Sequence, residues 1–160
     1  MKRVTHMALG AAAGVLVSFA AGQPPLFLAV VGGLFGVVPD LDLLFSGLGK
    51  NVHRSPATHS LLASVLFACA WAIAVFSENR LFGTEHLDAV PLWISSLAVF
   101  VSAFLHAASD SATIHGCILM FPLTRRRFRG PVRYDDVAAN SLLLVLSVAV
   151  TTASFGLESV

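Results

Sequence analysis

Five long apolar segments, separated by short polar stretches, dominate the hydrophobic pattern of the chain. They cover about residues 6–21, 26–45, 56–76, 91–110 and 137–157. A helix of roughly 20 residues spans the hydrocarbon core of a bilayer. Amides in lipid must bond within a helix or a closed barrel, and barrel strands alternate polar and apolar residues, as these segments do not. The pattern therefore predicts an all-α integral membrane helical bundle of about five transmembrane helices, with residues 1–160 forming a single domain.

The composition agrees with a membrane environment. Hydrophobic residues make up 56% of the chain and charged residues 12%, against about 25% charged residues in soluble domains. A formal net charge of +1 gives no global attraction to nucleic acid, so no nucleic-acid partner is expected. Cys69 and Cys117 show no CxxC spacing, which argues against a disulfide framework or a thiolate zinc site. Cys69 lies within an apolar segment, and we expect it to be buried.

The basic residues predict the orientation in the membrane. With five spans, all but Arg80 fall on one side, in three polar stretches: Lys2, Arg3, Lys50, Arg54, Arg125, Arg126, Arg127, Arg129 and Arg133. The positive-inside rule places this side in the cytoplasm, with the N-terminus. We therefore predict a multi-pass protein of the inner membrane. Its basic loop, residues 124–136, would contact anionic lipid headgroups.

The same topology brings histidines and aspartates from distant parts of the chain to this face. They are His6, Asp40, Asp42, His53, His59, His106 and Asp110. Asp40 and Asp42 follow Pro39 in an apolar context, where a carboxylate is costly. Two close carboxylates repel unless they are protonated or bridged by a cation, and a divalent metal would solve both problems. The alternative is that Pro39 ends the segment and the two aspartates are solvated.

His106 and Asp110 are four residues apart, which places both side chains on one helix face. Both can bind the same ion, or Asp110 can orient His106 from behind. A simple hydrogen-bonded pair without metal is the alternative. His6 is an additional candidate ligand, although a lone histidine at a helix start is often only interfacial.

The stretch from His53 to Ser60 has the features of a loop that enters a helix. Ser55 is a suitable N-cap and Pro56 suits the first helical position, which puts His59 in the first turn. Free amides at a helix N-terminus bind anions such as phosphate, and Arg54 can hold a phosphoryl group bidentately. Arg54 can also be only a charge that fixes topology.

These motifs, in this order and spacing, resemble the YdjM-like family, whose members are described as inner-membrane-associated, predicted metal-dependent hydrolases. The matching strings are Val38-Pro39-Asp40-Leu41-Asp42, His53-Arg54, Thr58-His59-Ser60, His106-x3-Asp110, Gly116 and Phe121-Pro122-Leu123. The resemblance extends from about Thr5 to Arg129. It implies a membrane-bound hydrolase acting on phospholipids.

Together these observations predict a metal-dependent hydrolase at the cytoplasmic interface, acting on a phosphoester of a lipid or lipid-linked substrate. The expected metal ligands are Asp40, Asp42, His59, His106 and Asp110, with His6 as an extra ligand. Mixed His and Asp donors suit a divalent metal, zinc first and manganese or iron as alternatives. His53 and Asp42 are the catalytic candidates, and Arg54 would bind substrate. The rival hypotheses are an ion or proton carrier and a scaffold whose metal only ties helices together.

Overall fold

The computed structural model describes residues 1–48, 54–82 and 90–157. Its elements are α1 (Arg3–Ala21), α2 (Pro25–Phe35), a 3-10 helix (Val38–Leu48), α3 (Leu61–Phe82), α4 (Leu92–Ser111) and α5 (Val137–Leu157). These ranges contain five candidate membrane spans, one of which joins α2 to the start of the 3-10 helix. The prediction of an all-α, multi-pass membrane bundle is confirmed.

Helices α1, α2 and α4 pack against one another and form the inner part of the bundle, whereas α3 packs on α4 and α5 packs on α1. The outward faces are apolar and exposed, for example at Phe19, Leu26 and Leu142. Exposed apolar side chains of this kind face lipid in a membrane bundle. Cys69, which we expected to be buried, is also exposed, because α3 is a peripheral helix.

Glycines allow α1 and α2 to approach closely. A Cβ atom added to Gly10 would collide with the carbonyl group of Gly32, and one added to Gly14 would collide with that of Leu28. Spaced glycines permit this backbone contact between membrane helices. Gly10 and Gly14 therefore serve packing within the chain.

Replacing Gly14 with Ala is expected to destabilise the bundle, although Ala normally favours a helix over Gly by up to about 1 kcal/mol. The added methyl group meets the backbone of Leu28 rather than a movable side chain, and overpacking costs about 1–3 kcal/mol. Thermal unfolding in detergent, followed by circular dichroism, measures the effect. Gly156→Ala is the control because its Cβ would meet open space. A Gly14→Ala protein as stable as the control would contradict this packing.

The prediction of one continuous helix over residues 26–45 is wrong. Helix α2 ends at Phe35 and a 3-10 helix follows from Val38, with the amide of Asp40 bonded to the carbonyl of Val37. Pro39 has no N–H group with which to bond the carbonyl three residues back. The carbonyl of Gly36 can therefore accept a hydrogen bond from another donor.

Two other boundaries differ from the prediction. Helix α3 begins at Leu61 rather than at Pro56, so His59 precedes the helix. Ser60, not Ser55, accepts the hydrogen bond of the third helical amide, from Ala63, as an N-cap residue does. Helix α1 begins at Arg3 rather than at His6, so His6 lies within its first turns. The observed α4 and α5 lie within one residue of the predicted ranges.

Candidate metal centre

Four buried side chains meet at one end of the bundle. Asp40 comes from the 3-10 helix, His59 from the turn before α3, and His106 and Asp110 from the end of α4. One oxygen or nitrogen atom from each lies within 4.8 Å of the others. Each side chain belongs to a residue that is at most 6% exposed. The cluster can hold a divalent metal.

The hydrogen bonding of His106 determines which ring nitrogen faces the cluster. Its Nδ1 lies 2.8 Å from the carbonyl oxygen of Gly36, the acceptor that Pro39 leaves free. A carbonyl can only accept, so Nδ1 carries the proton and Nε2 keeps its lone pair. A backbone carbonyl behind a ligating histidine is a common outer-shell arrangement in metal sites.

His59 is oriented in the same sense by Thr58 and Asp42. The Thr58 hydroxyl donates to Oδ2 of Asp42 at 2.8 Å and lies 2.8 Å from Nδ1 of His59. Oδ2 of Asp42 itself lies 3.4 Å from the same nitrogen. Because the groups around Nδ1 accept, Nδ1 carries the proton and Nε2 is again the nitrogen that faces the cluster. Asp42 therefore supports His59 from behind.

The two Nε2 atoms of His59 and His106 lie 3.1 Å apart. Two lone pairs at this distance repel unless a cation or a proton lies between them. Oδ1 of Asp40 is 3.7 Å from one Nε2 and 3.6 Å from the other, and Oδ2 of Asp110 is 3.7 Å from that of His59. In a tetrahedral site with metal–ligand bonds of about 2.0–2.1 Å, neighbouring donor atoms are separated by roughly 3.3 Å. These four distances are close to the spacing of such a site.

His6 stacks on His106, with ring centroids 3.9 Å apart. Its Nδ1 lies 3.2 Å from the Ser109 hydroxyl, whose own hydrogen goes to the carbonyl of His106, so Nδ1 donates. Nε2 makes no hydrogen bond, yet it lies 3.3 Å from Oδ1 of Asp110. The same oxygen accepts a hydrogen bond from the amino group of Met1 at 2.7 Å. His6 therefore contacts both His106 and Asp110 of the cluster.

Arg54 is buried beside the cluster, where it is 8% exposed. Its backbone has a φ of 59°, which is uncommon for a residue other than glycine, and its amide donates to Asp42 at 3.1 Å. Nη1 donates to the Thr113 hydroxyl at 2.8 Å. Nε lies 3.0 Å from Oδ2 of Asp110, as an ion pair without hydrogen-bond geometry. The guanidinium is thus fixed next to the candidate ligands.

A cavity of about 1070 Å³ opens beside these residues. Asp40 and Arg54 line it, and so do His115 and parts of the N-terminus and of the 114–134 segment. Asp42 does not. A ligand in this cavity can therefore reach Asp40 and Arg54 directly.

Comparison with known protein families agrees with this architecture. The model of the YdjM inner membrane protein family matches residues 1–159. The chain belongs to the YdjM family. No curated protein and no solved structure matches it. The resemblance inferred from the motifs is confirmed for the family, and a multi-pass membrane protein is what that family implies.

Most of the site residues predicted from the sequence lie together in this YdjM family member. Asp40, His59, His106 and Asp110 share the cluster, while His6, Asp42 and Arg54 contact its members. Both aspartates of the 3-10 helix are buried, against the alternative in which they are solvated. His53 lies outside the described residues, and its predicted catalytic role stays a prediction.

The prediction of an anion site at the start of α3 is wrong. The first amides of this helix, at Leu61 and Leu62, donate to the carbonyl groups of Leu119 and Phe121. These amides are therefore occupied within the chain. Arg54 remains the candidate phosphoryl-binding group, through its guanidinium alone.

Cys117 lies near the cluster but does not contribute a thiolate. Its thiol is fully buried and donates to the carbonyl of Ala107 at 3.3 Å. Burial, and then the charge of Asp110, raise the pKa of Cys117 to about 11. A thiol with this pKa stays protonated at neutral pH and is a poor metal ligand.

Sequence reasoning missed three supporting groups of this YdjM family member. The Gly36 carbonyl and the Thr113 hydroxyl carry no recognisable pattern in the sequence. Asn140 accepts from the amide of Lys2 and the hydroxyl of Thr5, and so fastens α5 to the start of α1. A polar amide in an apolar segment such as α5 could have indicated this contact.

Proposed function

We propose that this protein is a membrane-bound, metal-dependent hydrolase that cleaves a phosphoester bond of a lipid or lipid-linked substrate. The observation that carries the proposal is the pair of Nε2 atoms of His59 and His106, which face each other at 3.1 Å beside two buried carboxylates. This donor set, nitrogen and oxygen at tetrahedral spacing, suits zinc best. Manganese and iron also accept such ligands.

Asp40, His59, His106 and Asp110 would hold the ion. An ion held by these four residues would need a fifth coordination position for catalysis, which zinc sites can adopt, and it would then supply Lewis acidity and a water of lowered pKa. Asp42 accepts hydrogen bonds from Thr58 and from the amide of Arg54, and it does not line the cavity. We therefore assign Asp42 a positioning role in place of the catalytic role that the sequence suggested.

Arg54 would bind the phosphoryl group of the substrate. Its guanidinium lines the cavity and is held by Thr113 and Asp110, so it needs no reorganisation when an anion enters. A planar guanidinium matches two phosphoryl oxygens at once. Asp40 reaches the same cavity, where its carboxylate can accept a proton. His53, the neighbour of Arg54 in sequence, is our candidate for protonating the leaving group.

We propose the cytoplasmic leaflet of the inner membrane as the source of the substrate. Lys2, Arg3, Arg127 and Arg129 line the same cavity as Asp40 of the cluster, and basic residues favour the cytoplasmic side. The lipid headgroup would enter the cavity from this leaflet.

An ion or proton carrier is less well supported. A relay needs ionisable groups across the bilayer. In α1, α2, the 3-10 helix and α4, the buried ionisable side chains lie at one end of the bundle: His6, Asp40, Asp42, His106 and Asp110. The opposite end of these helices packs through an apolar core of Leu28, Val90, Ile94 and Ala98.

Metal removal tests the proposal. The purified protein, in detergent micelles with phosphatidic acid or phosphatidylglycerol, is assayed for release of phosphate or headgroup before and after treatment with a chelator. We expect near-stoichiometric zinc by mass spectrometry, loss of hydrolysis on chelation and recovery when zinc or manganese is added back. Full hydrolysis by the metal-free protein, or protein that binds no divalent metal, would overturn the proposal.

A further inference from the structure

The cavity beside the cluster is large and asymmetric in charge. Among the residues that the structure describes, five Lys and Arg residues line it, together with one acidic residue, Asp40. Lys2, Arg3, Arg127 and Arg129 accompany Arg54. At about 1070 Å³ the cavity is slightly larger than the usual range for small-molecule sites, roughly 300–1,000 Å³. It holds more than the single phosphoryl group that Arg54 would bind.

The local fold holds the segment that carries two of these arginines beside the cavity. Nη1 of Arg127 donates to the carbonyl groups of His115 and Gly116, both at 3.3 Å. Gly116 has a φ of 61°, and a Cβ at this position would collide with Phe128 and with the Arg129 side chain. The pairing of Cys117 with Phe128 joins the two halves of this segment. The segment that carries Arg127 and Arg129 is therefore held beside the cavity, and the two hydrogen bonds of Arg127 anchor its guanidinium there.

The cavity also has an apolar side. Val4, Leu43, Ile114 and Tyr134 line it together with the basic residues. A mixed lining of this kind suits the junction between a charged headgroup and its hydrophobic chain. A free inorganic anion would leave these apolar side chains without a contact.

We propose that the cavity selects lipids whose headgroup carries a second phosphate besides the one at Arg54, as in a lipid diphosphate or bisphosphate. Arg127 and Arg129, with Lys2 and Arg3, bind this second phosphate. The inference rests on the proposed function for its scissile phosphate, but the selectivity belongs to the cavity.

Binding of two matched probes tests the proposal in nonionic detergent. One probe is an alkyl bisphosphonate, which resists hydrolysis, and the other is the monophosphonate with the same chain. We expect the wild-type protein to bind the bisphosphonate tighter by about tenfold or more, the effect of one good charged contact. Because bisphosphonates chelate metals, the comparison is repeated with excess EDTA, where the preference should persist.

Two double variants separate selection in the cavity from general charge. R127Q/R129Q removes two cavity cations, whereas R125Q/R126Q removes two neighbouring charges that do not line the cavity. We expect the first to lose most of the preference and the second to keep it, with unfolding temperatures checked for both. A wild-type protein without preference, or equal losses in the two double variants, would overturn the inference.

The outcome is separable from that of the proposed function. A preference for the bisphosphonate without hydrolysis of any lipid phosphoester would leave the cavity assignment standing and remove the hydrolase. Metal-dependent hydrolysis without the preference would leave the hydrolase standing and remove the cavity assignment.

Discussion

Replacing His106 with Gln is expected to reduce the metal content of the purified protein from near-stoichiometric to a small fraction, and to abolish hydrolysis. The Nε2 atom of His106 is one of four donor atoms, and its position is fixed by the bond from Nδ1 to the Gly36 carbonyl. Loss of an outer-shell partner lowers metal affinity by about 10–100-fold. Loss of a direct ligand should lower it further. Zinc content by mass spectrometry and affinity by competition with a chelator measure the effect.

Two further variants provide reference values for the loss of metal. Asp42→Asn should weaken metal binding only within the outer-shell range, because Asp42 contacts His59 Nδ1 and is not a member of the four-residue group. His115→Gln should leave metal content unchanged, since His115 is exposed and outside the group. If His106→Gln retained wild-type zinc, or if His115→Gln lost as much, the assigned ligands would be wrong.

Replacing Arg54 with Lys is expected to lower kcat by about 10²–10³, the cost of removing one fixed donor from a developing negative charge. Lysine keeps the positive charge beside Asp110 but lacks the planar fork that contacts Thr113 and would hold two phosphoryl oxygens. Metal content should remain at the wild-type value, because Arg54 is not a ligand. Steady-state hydrolysis with metal analysis of the same preparation measures both quantities.

Arg125→Lys is the matched control, because Arg125 is exposed and does not line the cavity. It should retain wild-type kcat. An Arg54→Lys protein with wild-type kcat would show that Arg54 only balances the charge of Asp110. Loss of metal in that variant would instead assign Arg54 to the structure of the cluster.

The fold could be predicted from the sequence because lipid leaves the backbone few choices. The segments that became α4 and α5 were predicted to within one residue, since their apolar runs end at polar groups. The convergence of His59, His106 and Asp110 also followed from the sequence. Two spans separate His59 from Asp110, and an even number of spans between two polar stretches returns the chain to the same membrane face, whatever the packing of the helices.

The details of the site required tertiary contacts that no local pattern encodes. Helix α3 starts at Leu61 because its first amides bond to carbonyls of the 119–121 segment, far away in sequence. Local pattern predicts both Asp40 and Asp42 as metal ligands, but the 3-10 turn after Pro39 directs Asp40 to the cavity and Asp42 behind His59. The contact of His106 with the Gly36 carbonyl depends on the packing of α4 against the end of α2.

X-ray absorption spectroscopy of the zinc-loaded protein tests directly whether His59 and His106 share an ion. We predict a first shell of nitrogen and oxygen atoms at about 2.0–2.1 Å, with scattering from two imidazole rings. His59→Asn should remove the contribution of one ring. A spectrum without imidazole scattering, or one that His59→Asn leaves unchanged, would contradict the shared cation on which the site and its proposed chemistry depend.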